Sequence, residues 1–262
     1  ASLGSIVCAG LIPLLLKTPI GWRAVYLVGA LPLALMAFAR RNIRETSRFT
    51  AATEHVDRAA WGALLHGPWR GRVLYVAACW GLTYLCTQTA ITFWKEFATT
   101  ERGYTDKAVA LAITLAAVGS MPPLFAVGKL LDAVGRKRGA ALIFTLTSAG
   151  VVAAYTLHSR AALTLALAVT IFGVSAVLPV LNAFTAELFP TEARADAFAV
   201  ANNLLGRISY VVAPFAVGAM AENTGWGPAV SATAIGPLLA LALIWTRLPE
   251  TVGRELEDTA RV

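Results

Sequence analysis

The sequence predicts an all-α polytopic membrane protein, and three observations carry that expectation. Of its 262 residues 57% are hydrophobic and only 14% charged, where a water-soluble domain carries about a quarter charged residues. Uncharged apolar runs recur along the chain, most of them near the roughly 20 residues needed to cross a 30 Å hydrocarbon core at about 1.5 Å per residue. The charges gather between these runs, and Lys and Arg summed over alternate connections are unequal. A net charge of +7 is therefore explained by orientation in a membrane, and no nucleic-acid partner is expected.

The elements follow in order. The run Leu3–Leu16 is short for a span, and the chain opens on Ala1, so a piece of a longer protein is expected. Lys17 to Arg23 forms a turn with Trp22 at the interface, and Ala24–Ala39 is the first full span. Residues 40–72 hold seven arginines and read as an aqueous loop. Its tail groups Trp61, Leu64, Leu65 and Trp69, which fits either a helix lying on the membrane surface or an unstructured linker. Further spans are expected at Val73–Trp94, Ala108–Val127, Gly139–Leu157, Ala161–Leu181, Ala197–Met220 and Ala229–Thr246, followed by a polar tail. The count is seven full spans after a partial one.

Topology follows from the cations. Of 22 Lys and Arg residues, 15 fall on the side that holds residues 40–72, the turn Lys129–Arg138, Arg194 and the tail. Six fall opposite: Lys17, Arg23, Lys95, Arg102, Lys107 and Arg160. The excess places the 128–138 turn and the C-terminus in the cytoplasm of a plasma or bacterial inner membrane.

Several function classes lose support. Cys8, Cys79 and Cys86 all lie in apolar runs, where thiols act as small packing residues. His55, His66 and His158 stand apart in loops, so no metal site and no cofactor is expected. An enzyme working at membrane depth needs a nucleophile–base pair or a metal set there, and no His lies in a span. No Gly-x4-Gly-Lys-Ser/Thr cradle is present for ATP-driven transport.

Four short motifs bring acids and bases to one side: Gly128-Lys-Leu-Leu-Asp132-Ala-Val-Gly135-Arg136-Lys137-Arg138, Ile43 to Phe49 with Glu45, Glu187-Leu-Phe-Pro-Thr-Glu-Ala-Arg194, and Leu248-Pro-Glu250-Thr-Val-Gly-Arg254. The first resembles the loop signature of the major facilitator superfamily between its helices 8 and 9. The others are similar to the segments that end helices 6, 10 and 12 there. Ile43–Phe49 departs from the usual Pro-Glu-Ser-Pro-Arg, with Arg44 in place of the first proline and no second one.

The resemblance runs from a partial helix 5 through helix 12, in the branch of sugar porters, aromatic-acid symporters and organic-ion transporters. It implies residues 1–39 as the end of an N-terminal bundle, 40–72 as the central loop, 73–246 as a C-terminal six-helix bundle and 247–262 as a cytoplasmic tail. It further implies a secondary transporter of a small organic solute, working by alternating access with the missing N-terminal half and surrounded by lipid. Gly128, Asp132, Gly135, Arg136, Glu187, Arg194, Glu45 and Glu250 are expected to form a cytoplasmic gate network. A network can bias a rocking equilibrium of a few kcal/mol, where one exposed pair contributes only about 0–1 kcal/mol.

Polar residues inside spans are either packing glue or pathway lining. Tyr84, Gln88 and Thr92 recur at i, i+4 and i+8; Asn182 follows Pro179; Asn203, Arg207 and Tyr210 share one α-helical face. Ten residues from Ala197 place Arg207 about 15 Å deep. A guanidinium there needs a wet cavity or a counter-charge: either an acid from elsewhere pairs with it, or an anionic substrate does. The Asn203–Tyr210 stretch also resembles organic-anion and aromatic-acid transporters, where an arginine in this region is implicated in carboxylate binding. The expected substrate set is Arg207, Asn203, Tyr210, Gln88, Tyr84 and Asn182, with a carboxylate favoured and a neutral sugar, a drug or a non-transporting fragment as alternatives. No carboxylate lies mid-span, so an acid for proton coupling is expected outside this chain.

Overall fold

The computed structural model describes residues 17–41 and 61–252, together with Leu11 and Leu15. Among these residues the regular structure is helical throughout, without a strand. The chain divides into two units, Ala1–Val56 and Asp57–Val262. The first contains helix α1, Trp22–Arg40, which starts after Gly21 and carries Pro32 inside it.

The second unit holds α2 (Trp61–His66), α3 (Arg70–Thr92), α4 (Trp94–Thr100), α5 (Asp106–Val134), α6 (Arg136–Thr156) and α7 (Arg160–Glu187). It continues with α8 (Thr191–Phe198), a π-helical stretch Ala199–Gly206, α9 (Ile208–Thr224), α10 (Trp226–Thr233) and α11 (Ile235–Arg247). Six stretches among the described residues are long and apolar enough to cross a membrane: α1, α5, α6, α7, the run Ala193–Thr224 and the run Trp226–Arg247. The expected count was seven. The shortfall is α3, which has 23 residues but carries Thr83, Thr87 and Thr89 buried among its neighbours. A helix that keeps its polar groups inside the bundle needs less apolar character overall.

The helices run longer than the apolar runs that announce them. α5 continues to Val134 and α6 starts at Arg136, so the connection is the single residue Gly135, at φ 94°. Any side chain there is strained by that angle, and a Cβ would also sit 3.1 Å from Glu250 Oε2. Gly128 and Asp132 therefore lie on α5 rather than in the turn. Leu131, 3% exposed, explains why the helix persists: it is anchored in the core.

Residue α2 positions were expected on a membrane surface or in a linker. A helix forms, but Leu64 is fully buried in the bundle, with Leu65 and Trp69 packed against the same apolar cluster. The final span is divided at Ala234. Pro237 has no N–H to give to the carbonyl of residue 233, which interrupts the ladder there.

α3 is the organising element, packed against α11, the π-helical stretch and α9, while α7 packs on both α5 and α6. One apolar cluster surrounds Trp80, Phe144, Phe184 and Ile244; a second, around Trp94, Phe97, Tyr155 and Val230, serves the other end. At that second end two adjacent residues of opposite charge seize opposite helix poles. The Glu101 carboxylate accepts the N–H groups of Trp226 and Gly227 that open α10. Arg102 donates to the Leu157 and Thr156 carbonyls that close α6, at 3.1 and 3.4 Å. Each charge complements the partial charge of the helix end it meets.

Candidate functional site

Two polar constellations stand out against the apolar bundle. The first lies where α5, α6, α7 and the start of the tail meet. Arg136, the first residue of α6, bonds Glu187 at the end of α7 through Nη2 (2.9 Å) and Nε (3.1 Å), and Asp132 on α5 through Nη1 (2.7 Å). The side chains of Arg136 and Glu187 are 16% and 18% exposed, that of Asp132 72%. The inner pair is thus shielded from solvent, whereas the Asp132 pair is of the exposed kind that adds little. Thr251 donates its hydroxyl to the second oxygen of Glu187.

Glu250 works beside this pair without an ion pair among the described residues. Its carboxylate accepts the backbone N–H groups of Arg136 (2.9 Å), Lys137 (3.0 Å) and Thr251 (3.1 Å). Gly135 leaves the space for it, so Glu250 supplies the N-cap that α6 lacks from its own sequence. Burial pushes the Glu250 carboxyl up, but the backbone donors of Lys137, Arg136, Val252 and Thr251 outweigh it and hold it below the ordinary carboxylate value.

Of the expected gate residues, Asp132, Gly135, Arg136, Glu187 and Glu250 come together. Gly128 sits exposed on α5 with nothing close to its α-carbon face. Arg194 was expected among the ion pairs and joins none among the described residues: it donates to the Phe189 carbonyl at 3.4 Å, and its Nε is buried without a partner among them. Pro190 restarts the chain as α8, and this bend folds Arg194 back on its own connection. Glu45 lies outside the described residues. Thr251 was not anticipated, because a lone threonine after a helix carries no signal in sequence.

The second constellation is mid-span, between α3 and the π-helical stretch. Tyr84 donates its hydroxyl to Asn202 Oδ1 at 2.8 Å, and its ring meets Tyr210 edge to face with centroids 4.6 Å apart. Arg207 closes the same π-helical stretch, between Asn202 and Tyr210 in the chain. Trp80, one turn before Tyr84, packs on its ring at 5.2 Å and donates to Thr185 Oγ1 on α7 at 3.1 Å.

The π-helical geometry decides which residues belong. Arg207 N–H bonds the Asn202 carbonyl at 3.0 Å, a step of five residues instead of four. A sequence reading with α spacing puts Asn203, Arg207 and Tyr210 on one face; the extra residue in the turn brings Asn202 into register with Arg207 instead. Asn203 is exposed, and its side chain makes no hydrogen bond among the described residues. The distortion is tied to a close approach: a Cβ on Gly206 would lie 2.7 Å from Trp80 Cβ and 2.9 Å from the Ala201 carbonyl. Gln88 is half-buried and Asn182 exposed, and neither is hydrogen-bonded to the Tyr84 cluster. Arg207 and Tyr210 are both exposed, and Arg207 takes part in no ion pair among the described residues. No group of three or more His, Cys, Asp or Glu among those residues is arranged to hold a metal ion.

Comparison with known proteins bears on what such a bundle is for. Residues 82–261 match a family profile described as Major Facilitator Superfamily. The chain is 22% identical over 256 residues to a protein of Cupriavidus pinatubonensis named for 4-methylmuconolactone transport, covering 97% of this chain and 59% of that protein. It is 26% identical over 267 residues to a protein of Haemophilus influenzae named for metabolite transport, covering 97% and 64%. The chain therefore spans less than two thirds of the length of either relative.

Proposed function

The chain belongs to the major facilitator superfamily, and from that premise we propose that it serves as one helical bundle of a secondary transporter that carries a small organic anion by alternating access. Arg207 carries the reading. It is the one cation inside a predicted span, it is exposed, and no acid among the described residues neutralises it. Tyr84, Asn202 and Tyr210 cluster around the turn that it closes, and with the Tyr84 proton given to Asn202 Oδ1 the Asn202 amide N–H and the Tyr210 hydroxyl are the donors for a bound carboxylate. The names of the relatives support a small organic solute. The Arg136–Glu187–Thr251 cluster, with the Glu250 cap, is the proposed gate, on the cytoplasmic side by the distribution of Lys and Arg.

The test is uptake by the full-length protein in proteoliposomes, with labelled carboxylates set against neutral sugars. Arg207→Ala should abolish carboxylate uptake with the melting temperature retained. Arg207→Lys should restore it only in part, because a point charge replaces a bidentate fork. Wild-type uptake by the alanine variant, or a preference of the wild type for neutral sugars, would overturn the assignment. A second reading, a neutral hydroxylated solute with Arg207 paired to an acid of another segment, is favoured by the uncharged donors Tyr84, Asn202 and Gln88. It predicts that Arg207→Ala lowers stability without changing the substrate ranking.

A further inference from the structure

The basic end of the bundle has a cavity that the transport reading does not use. It is a cleft of about 390 Å³ between the start of α6 and the end of α11, with Lys137, Arg138, Trp245 and Glu250 in its walls and Ala133 and Val252 as apolar lining. Two of these polar groups are already engaged. Glu250 accepts backbone N–H groups from Arg136, Lys137 and Thr251, and Lys137 Nζ donates to the Trp245 carbonyl at 3.0 Å. Arg138 is different. Its guanidinium is exposed, with neither an ion pair nor a hydrogen bond within the described residues.

The position of the cleft selects the ligand. Two spans end at its rim, α6 beginning at Arg136 and α11 ending at Arg247, so it opens at the depth of the lipid headgroups. Trp245, 53% exposed, is the residue type that settles at that depth. Two adjacent cations beside apolar walls suit a ligand with an anionic head and an apolar body, and basic pockets between spans take such lipids. The backbone donors that open α6 offset part of the Glu250 charge, and Lys137 and Arg138 outnumber it in the cleft wall. We propose that this cleft binds one anionic glycerophospholipid, its phosphate held by the Arg138 fork with Lys137 as second donor and its glycerol body against Trp245, Ala133 and Val252. The site is separate from the Tyr84–Arg207 cluster and does not depend on what the protein transports.

The experiment is native mass spectrometry of the purified full-length protein, given phosphatidylglycerol or phosphatidylcholine in matched amounts, with transport not measured at all. The wild type should retain one phosphatidylglycerol at least tenfold more than phosphatidylcholine. Arg138→Glu should lose that preference. Ala133→Trp should also lose it by filling the cleft, leaves every charge in place, and carries the test if Arg138→Glu fails to fold. Lys129→Glu, which reverses an exposed cation one turn before the end of α5, should keep it, and millimolar glycerol 3-phosphate should not displace the lipid. Wild-type retention by both cleft variants, an equal loss in Lys129→Glu, displacement by the soluble phosphate, or no headgroup preference would each overturn the proposal.

Discussion

Tyr84 on α3 donates its hydroxyl to Asn202 at 2.8 Å, and this bond selects between two adjacent asparagines. Asn202 is 4% exposed, while Asn203 turns outward. Replacing Asn202 by Ala leaves a buried hydroxyl without its acceptor, a loss of about 1–3 kcal/mol. Asn203→Ala should stay within about 0.5 kcal/mol of wild type. Unfolding in mixed detergent micelles measures both. Equal effects, or the reverse order, would show that the π-helical register is absent in the protein.

The proposed gate residues should differ in weight according to their shielding. Glu187→Gln removes charge from the half-buried pair with Arg136 and should shift the full-length protein toward the inward-open state, lowering transport with expression intact. Asp132→Asn, at the exposed branch, should do much less. Labelling of a cysteine at Ala133 reads the change. It should be blocked from outside in wild type, while a cysteine at Thr105 reacts from outside. Reversed labelling of the two positions would refute the orientation, and unchanged cytoplasmic accessibility in Glu187→Gln would refute the gate.

Glu250 gives a pH signature with a definite sign. Its carboxyl is held low in the folded protein, so the folded state binds fewer protons than the unfolded one near and below about pH 4.3, the ordinary value for Glu. The stabilisation is fully present above that pH and is lost as pH falls through the lowered folded value. The melting-temperature gap between wild type and Glu250→Gln should be widest at neutral pH and narrow in acid. A gap independent of pH would mean that the cap does not depend on the carboxylate charge.

At the opposite end, Glu101→Ala and Arg102→Ala should each lower stability, by about 0.5–2 kcal/mol for the lost cap and helix-end charge. The swapped pair Glu101→Arg with Arg102→Glu should be worse than either single change, since each charge then faces a like helix pole. A swapped variant as stable as wild type would indicate that only packing at Trp226 and Phe97 matters there.

Much of the architecture was legible in the amino-acid sequence because its cause is local. Apolar runs of spanning length report a lipid surrounding, and the residues between them carry the charge whatever the helices later pack against. The Gly135 turn and the acid–base pairs around Arg136 were legible for the same reason, since their partners recur in short motifs. What tertiary structure decided is everything that depends on a distant backbone. The contact of Gly206 with Trp80 accompanies the π-helical turn and brings in Asn202 where α spacing points to Asn203. Pro190 turns Arg194 away from the cluster it was expected to join. Thr251 finds Glu187, and Glu250 caps α6 instead of joining the ion pairs among the described residues, only because α11 ends beside them. No periodicity in a single chain encodes such meetings, because they are set by how closely helices approach in a medium where packing, not water, holds them together.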